Sequence, residues 1–361
     1  MTKYFIKAQG CVCNIADSKK ISEFLKKTGN KIIKNPDEAD EIIVVSCGFN
    51  ELKLNHSLQE IKELESKNKK IKIAGCIPKI RPERLTKYEI IGNPRNFEDI
   101  ERITKNKRIN KIKIEQISPM FYFKKTAYIK ISTGCNGKCS YCAIKQAVGY
   151  VKSRSIKEIV NDVNKSIKKG YKKIALISDD IGSWGRDKNK KLSDLIKELI
   201  TIEGDFKILL TSIHPKNLLT DKEILKLIKS PKIGNTIYLP NQSASDNILK
   251  KMKREHTHKE YLKLIDAILK ARPDMKIQTD LIIGFPTETE EDHQKNLQFI
   301  KNSKIYFLQA FMYTSMKRTI SEQFTDLDEK IKESRTREII KAFLNKNNKE
   351  KRILVNTNIK I

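Results

Sequence analysis

Three short apolar runs near the amino terminus each stop just before a cysteine: Lys3–Ala8 before Cys11, Glu41–Ser46 before Cys47, and Ile71–Gly75 before Cys76. Segments with helical patterning, Asp17–Lys27 and Glu51–Asn68, separate them, with Asp17 or Ser18 near the first helix start. Strand–helix alternation at this spacing predicts a parallel sheet with helical crossovers. Sites in open parallel sheets lie beyond the carboxyl ends of the strands. Three thiols from distant parts of the chain are therefore expected to converge on one sheet edge.

A second strand–helix series follows a charged stretch at Lys105–Lys113. Its strand candidates are Ala127–Thr133, Lys173–Ser178, Phe206–Thr211, Thr236–Leu239, Lys276–Ile283 and Tyr306–Met312. Helix candidates lie between them near Ile156–Lys169, Lys191–Ile202, Asp221–Lys229, His258–Ala271 and Glu290–Asn302. Six such units predict an α/β fold whose second domain is a partial, open (β/α)6 TIM-like barrel. The expected divisions are 1–105 for the first domain, 106–124 for a linker, 125–325 for the barrel, and 326–361 for a polar helix and short apolar tail.

The chain holds seven cysteines. A disulfide framework does not suit a large, lysine-rich chain with no secretion signal. Cys135, Cys139 and Cys142 form a C-x3-C-x2-C run directly after the first barrel strand. Three thiolates hold three irons of a 4Fe–4S cluster and leave the fourth iron open. The amino and carboxylate groups of S-adenosylmethionine suit that open iron, and electron transfer into its sulfonium releases an adenosyl radical. The competing reading is zinc, which ordinarily takes a fourth Cys or His nearby; the loop has no histidine.

The formal net charge is +29. Such a balance points to a polyanion, most simply nucleic acid, although genome composition or growth at high temperature also enriches lysine. No apolar run of eighteen residues occurs, which argues against a membrane-spanning helix, and no signal peptide is apparent at the start. The cytoplasm is the expected location.

At these motifs the chain resembles the radical S-adenosylmethionine methylthiotransferases of the MiaB/RimO type, from about Lys3 to Phe343. Gly10-Cys11, Ser46-Cys47, Ala74-Gly75-Cys76 and the Cys135/Cys139/Cys142 run carry the resemblance, with TSIHP at 211–215, LPNQSASDNIL at 239–249 and TDLIIGFPTET at 279–289 in order. AGCIP at 74–78, SDDIGSWGRD at 178–187, QSASD at 242–246 and KRE at 253–255 are similar to the archaeal and eukaryotic threonylcarbamoyladenosine tRNA branch.

The resemblance implies two 4Fe–4S clusters, S-adenosylmethionine as methyl and radical source, and methylthiolation at carbon 2 of a modified adenine at tRNA position 37. It implies that Cys11, Cys47 and Cys76 hold a second cluster, which handles sulfur. Partners would be tRNA, a sulfur donor, and an electron donor such as a flavodoxin or ferredoxin. Asp180 is the candidate for the methionine amino group. Gln242, Ser243, Asp280 and His214 are candidates for cofactor or substrate, with a core or turn role the alternative for Asp280. Cys13 has no family counterpart and reads as a bystander.

Two positions depart from relatives that carry arginine: Val148 and Met316. Tyr238 replaces a usual histidine, and Asn241 a usual apolar residue. The family's carboxyl-terminal RNA-binding TRAM barrel is expected to be absent or reduced to a remnant at Ile353–Ile361. The alternatives are a RimO-like enzyme acting on a ribosomal aspartate, a catalytically degenerate tRNA-binding relative, and a zinc-binding RNA module.

Overall fold

A computed structural model of the chain describes residues 1–92, 117–345 and 352–356. Each of the three amino-terminal apolar runs is a strand, β1 (Lys3–Ala8), β3 (Glu41–Ser46) and β4 (Lys70–Gly75), and two short strands not expected from the sequence, β2 (Lys31–Ile33) and β5 (Glu89–Gly92), join them. They form one parallel sheet in the order β2-β1-β3-β4-β5. β3 is buried on both faces, as its unbroken apolar run demands. Ile42 and Val44 enter one apolar cluster, while Ile43 and Val45 meet Ile21, Phe24 and Leu25 of the first helix in another.

That helix runs Val12–Lys27 and starts five residues earlier than its polar residues suggest, with Cys11 as the extended N-cap. Asp17 caps nothing. It sits mid-helix, ion-paired to Lys130 of the second domain at 2.5 Å. Local capping rules miss this because a contact 113 residues away holds the carboxylate.

The second domain holds β6 (Met120–Phe123), β7 (Thr126–Lys130), β8 (Ser132–Thr133), β9 (Lys152–Ser153), β10 (Lys173–Ile177), β11 (Lys207–Ser212), β12 (Ile233–Tyr238), β13 (Lys276–Ile283), β14 (Ile305–Met312) and β15 (Arg352–Asn356). Its main sheet has the order β15-β14-β13-β12-β11-β10-β7-β6. The six expected barrel strands are β7 and β10 to β14. Two more extend its edges. β6 pairs antiparallel with β7 and falls within the span expected as linker, of which 106–116 lie outside the described residues. β15 pairs parallel with β14, so the described part of the tail continues this sheet and forms no separate barrel.

Alternation along the strands separates two faces. Ile129, Ile174, Leu176, Ile208, Leu210, Ile237, Leu281, Ile283, Leu308 and Ala310 belong to the large outer core with helices Ile156–Lys168, Leu192–Ile200, His258–Ala271 and Glu329–Leu344. The intervening residues face the concave side. There Tyr128, Ala175, Ile177 and Leu209 pack with Phe121 against Ile15 and Ala16 of the first helix. The amino-terminal domain thus seats the helix that follows Cys11 inside the open barrel.

Candidate active site between two thiol triads

Gly10, at φ 79°, shows how closely the first triad is drawn together: a Cβ there would stand 2.4 Å from the Cys47 Sγ. The Cys76 amide donates to the Ser46 carbonyl at 2.9 Å, and a Cβ on Gly48 would lie 3.9 Å from the Cys76 Cβ. Cys11 is exposed, whereas Cys47 and Cys76 are buried. Burial and the neighbouring Cys11 push the Cys47 thiol up. Buried Cys13 also lies against Cys11, whose hydrogen bond raises its thiol pKa well above the ordinary value, with burial adding to the shift.

The second triad lies on a loop fixed at several points. Gly134 is at φ 80°, and a Cβ would approach the Tyr150 carbonyl oxygen to 2.1 Å, so no other residue fits. The Gly134 amide donates to Asp179 at 2.8 Å, and the Cys135 amide to Gly149 at 3.2 Å. Ser140 donates through its amide to the Met252 carbonyl and through its hydroxyl to Lys251. Lys145 donates to the Cys135 carbonyl. The Gly137 Cα points between two thiols: a Cβ would lie 3.2 Å from the Cys135 Sγ and 3.8 Å from that of Cys139.

Burial, with Asp180 nearby, pushes the Cys135 thiol up to about 12; burial, with Cys139, pushes that of Cys142 up to about 11. Such thiols ionise only when a positive group compensates, which iron supplies. No group of three or more His, Cys, Asp or Glu among the described residues is disposed around a single metal ion. Two sets of three thiols on tight glycine loops fit clusters, in which each iron takes its own thiolate.

The flanks of the two triads touch. Cys76, Ile77 and Ile80 share one apolar cluster with Ala143, the neighbour of Cys142, and with Ala147 and Met316. Arg318 donates to the carbonyls of Lys79 and Ile80 across the same boundary.

Two family descriptions divide the chain at this boundary. "Uncharacterized protein family UPF0004" matches residues 3–92, and "Radical SAM superfamily" matches 129–300. A probable threonylcarbamoyladenosine tRNA methylthiotransferase of Methanocaldococcus jannaschii is 32% identical over 347 residues, covering 92% of this chain and 81% of the relative. The Archaeoglobus fulgidus protein of the same description is 30% identical with the same coverage. A Clostridium botulinum (strain Loch Maree) tRNA-2-methylthio-N(6)-dimethylallyladenosine synthase is 34% identical, covering 94% and 81%. The chain belongs to the radical S-adenosylmethionine methylthiotransferases. Its cofactors are therefore S-adenosylmethionine and 4Fe–4S clusters. In fold it is similar to the radical S-adenosylmethionine methyltransferase TsrM of Kitasatospora setae, with TM-score 0.64 at 10% identity, covering 89% of this chain and 77% of that one.

In this methylthiotransferase the polar residues singled out by sequence take distinct parts. Asp180 is buried and accepts four hydrogen bonds: from the Gly182 and His214 amides at 3.0 and 3.1 Å, and from Ser183 and Asn217, each at 2.7 Å. Burial raises its pKa. A ligand ammonium would have to displace one of these donors, so Asp180 shapes the cavity of about 320 Å³ that it lines with Asn136–Lys138 and His214. His214 caps the helix Pro215–Thr220 by accepting from the Lys216 amide at 3.2 Å. Burial, then Arg254, keeps its ring neutral, and its Nε2 is buried with no partner.

Ser243 is fully buried in a turn, bonded to Asn296 at 3.3 Å. The backbone of Gln242, at φ 76°, bridges to Leu281 beside Asp280. Asp280 accepts from the Tyr238 hydroxyl at 2.7 Å, while its other oxygen and the Gln242 Oε1 are buried without partners. Burial pushes Asp280 up to about 6. These unpartnered atoms fit a polar ligand on the concave side.

Arg254 reaches the radical triad, and the sequence reading did not single it out. Its guanidinium is buried, donating to the Cys139 Sγ at 3.5 Å and to the Pro240 carbonyl at 2.5 Å. The only signal was its place in the Lys253–Glu255 block, with Lys253 at φ 54°; nothing in the spacing shows that it reaches a thiol.

Proposed function

We propose that this enzyme inserts a methylthio group at carbon 2 of N6-threonylcarbamoyladenosine at position 37 of tRNA, using two 4Fe–4S clusters and two molecules of S-adenosylmethionine. The observation that carries this reading is the contact between the flanks of the two thiol triads, through Cys76, Ile77 and Ala143. An aromatic C–H offers no acidic proton to a base, so a hydrogen-abstracting centre and a sulfur-delivering centre must share one space. When bound, the cofactors supply an adenosyl radical on the Cys135/Cys139/Cys142 side and sulfur on the Cys11/Cys47/Cys76 side. The chain's part is to hold and orient them. Arg254 donates to a thiol, Asp180 and His214 shape the cavity, and the buried concave face excludes water around Asp280 and Tyr238.

A tRNA substrate is supported by the names of the relatives and by the +29 charge. The AGCIP, QSASD and KRE blocks favour the threonylcarbamoyl branch; the 34% identity to the clostridial dimethylallyladenosine enzyme supports that second substrate. Either reaction needs an electron donor such as a flavodoxin or ferredoxin, and a sulfur donor. The working place is the cytoplasm, where tRNA is found; no described helix is long and apolar enough to cross a membrane. Mass spectrometry of nucleosides from tRNA incubated anaerobically with the reconstituted enzyme tests the assignment. A 2-methylthio product from threonylcarbamoyladenosine is expected; product only from dimethylallyladenosine, or from neither, refutes it.

A further inference from the structure

Phe49 is two residues past Cys47, and 48% of it remains exposed. It does not stand alone. Its ring meets that of Phe311, on the concave face of β14, with centroids 5.6 Å apart and planes tilted by 58°. Phe311 pairs in register with Ile282 of β13. Ile282 and Tyr141, which lies between Cys139 and Cys142, pack against one cluster of Ile248, Met252, Phe285 and Tyr313. A continuous apolar path thus leads from the radical triad to Phe49 and ends beside the auxiliary triad. The free part of the Phe49 ring is where that path reaches solvent. Lys53, one helical turn on, is close enough for its charge to act on the Cys47 thiol.

We propose that Phe49, braced by Phe311, is the platform on which the target adenine of the RNA stacks. The inference rests on the RNA reading above and adds the residue that holds the base. The reacting carbon has to lie between the hydrogen-abstracting and sulfur-delivering centres, and an aromatic face at that point fixes the plane of a purine. Unstacked RNA bases are held in this way on aromatic side chains, with cations nearby for the backbone. A phenyl ring also reads only the π-face, so it leaves the N6 substituent to other residues.

The test uses the reconstituted full chain and a synthetic anticodon stem-loop carrying N6-threonylcarbamoyladenosine at the target position. Phe49→Ala and Phe49→Leu each raise KM for this RNA about tenfold, and Phe49→Trp restores it. The leucine variant keeps apolar bulk, so a loss there reports the aromatic face; iron content and unfolding midpoint check each variant. Emission of the Phe49→Trp protein falls when the stem-loop is added and stays unchanged with the same RNA abasic at the target position, Trp184 being buried and constant. Unchanged KM in Phe49→Leu and Phe49→Ala, or equal quenching by the abasic RNA, overturns the proposal. A wild-type enzyme that makes no methylthio nucleoside refutes the function instead, and the fluorescence arm needs no turnover.

Discussion

Lys130 and Asp17 hold the two domains in register, and removing one of them has a large, calculable cost. Their charged atoms are 2.5 Å apart, with side-chain exposures of 1% and 3%. Lys130 projects from the concave face of β7, and Asp17 from the helix that begins at Cys11. Truncating one member of such a pair strands the other charge out of water and costs about 3–5 kcal/mol. Replacing both with apolar residues of similar volume removes two desolvation penalties as well as the attraction, and comes out near neutral. Lys130→Met and Asp17→Leu are therefore each expected to lose about 3–5 kcal/mol in urea unfolding of the anaerobic holoprotein, while the double variant recovers most of that loss. Losses below about 1 kcal/mol in the single variants, or a double variant as unstable as the sum of the two, would refute the reasoning. The second result would mean that the two side chains act separately, and that the helix is seated by Ile15 and Ala16 alone.

Two other residues give sharper readouts than activity. Arg254→Gln removes a buried cation from the Cys139 Sγ and lowers the reduction potential of the cluster held there by tens of millivolts, roughly what about 1 kcal/mol means for a one-electron couple; an EPR-monitored redox titration checks the direction, and an unchanged potential counts against the contact. Asp280 has its folded pKa raised by burial to about 6, above the ordinary 3.8. The folded state then binds the extra proton, so its stabilising share is present at low pH and lost as pH rises through 6. Between pH 5 and 7 the wild type should lose about 1 kcal/mol that Asp280→Asn does not lose, as measured by denaturant midpoints.

The parallel sheets were legible because their strands are buried on both faces and therefore read as unbroken apolar runs, as in β3 and in β13, whose ends agree with the expected Lys276–Ile283. Helices His258–Ala271 and Glu290–Asn302 were equally plain, since Thr257 and Thr289 each open a capping box. The strands that escaped were β9, a two-residue pairing with β8, and β2, β5, β6 and β15. The last four are edge strands, and all five are of two to five residues, too short for periodicity to register. Within the site, the thiols could be found because cysteine spacing is a local signal. The partners of Asp180 could not: two of its four donors, His214 and Asn217, follow a second strand end that only the fold brings beside it.

Two of the four expected departures from the family pattern share a physical account. Val148 and Met316, where the resemblance leads one to expect arginine, lie 168 positions apart, yet Met316 belongs to, and Val148 packs against, the apolar cluster that joins Cys76 and Ile77 to Ala143 and Ala147. Met316 is only 3% exposed. A guanidinium in place of Met316 would need buried acceptors, and the side chains around it are apolar, mainly Ile, Leu, Val and Ala. The apolar choices therefore match one another across the boundary between the triads. This boundary is secured by burial, while Arg318 and the backbone carbonyls of Lys79 and Ile80 keep a polar tie at the rim. Val148 and Met316 thus fall on one apolar layer between the two triads, as side chains matched to a common interface do, which argues against a site in decay: random loss would leave unmatched cavities or stranded charges.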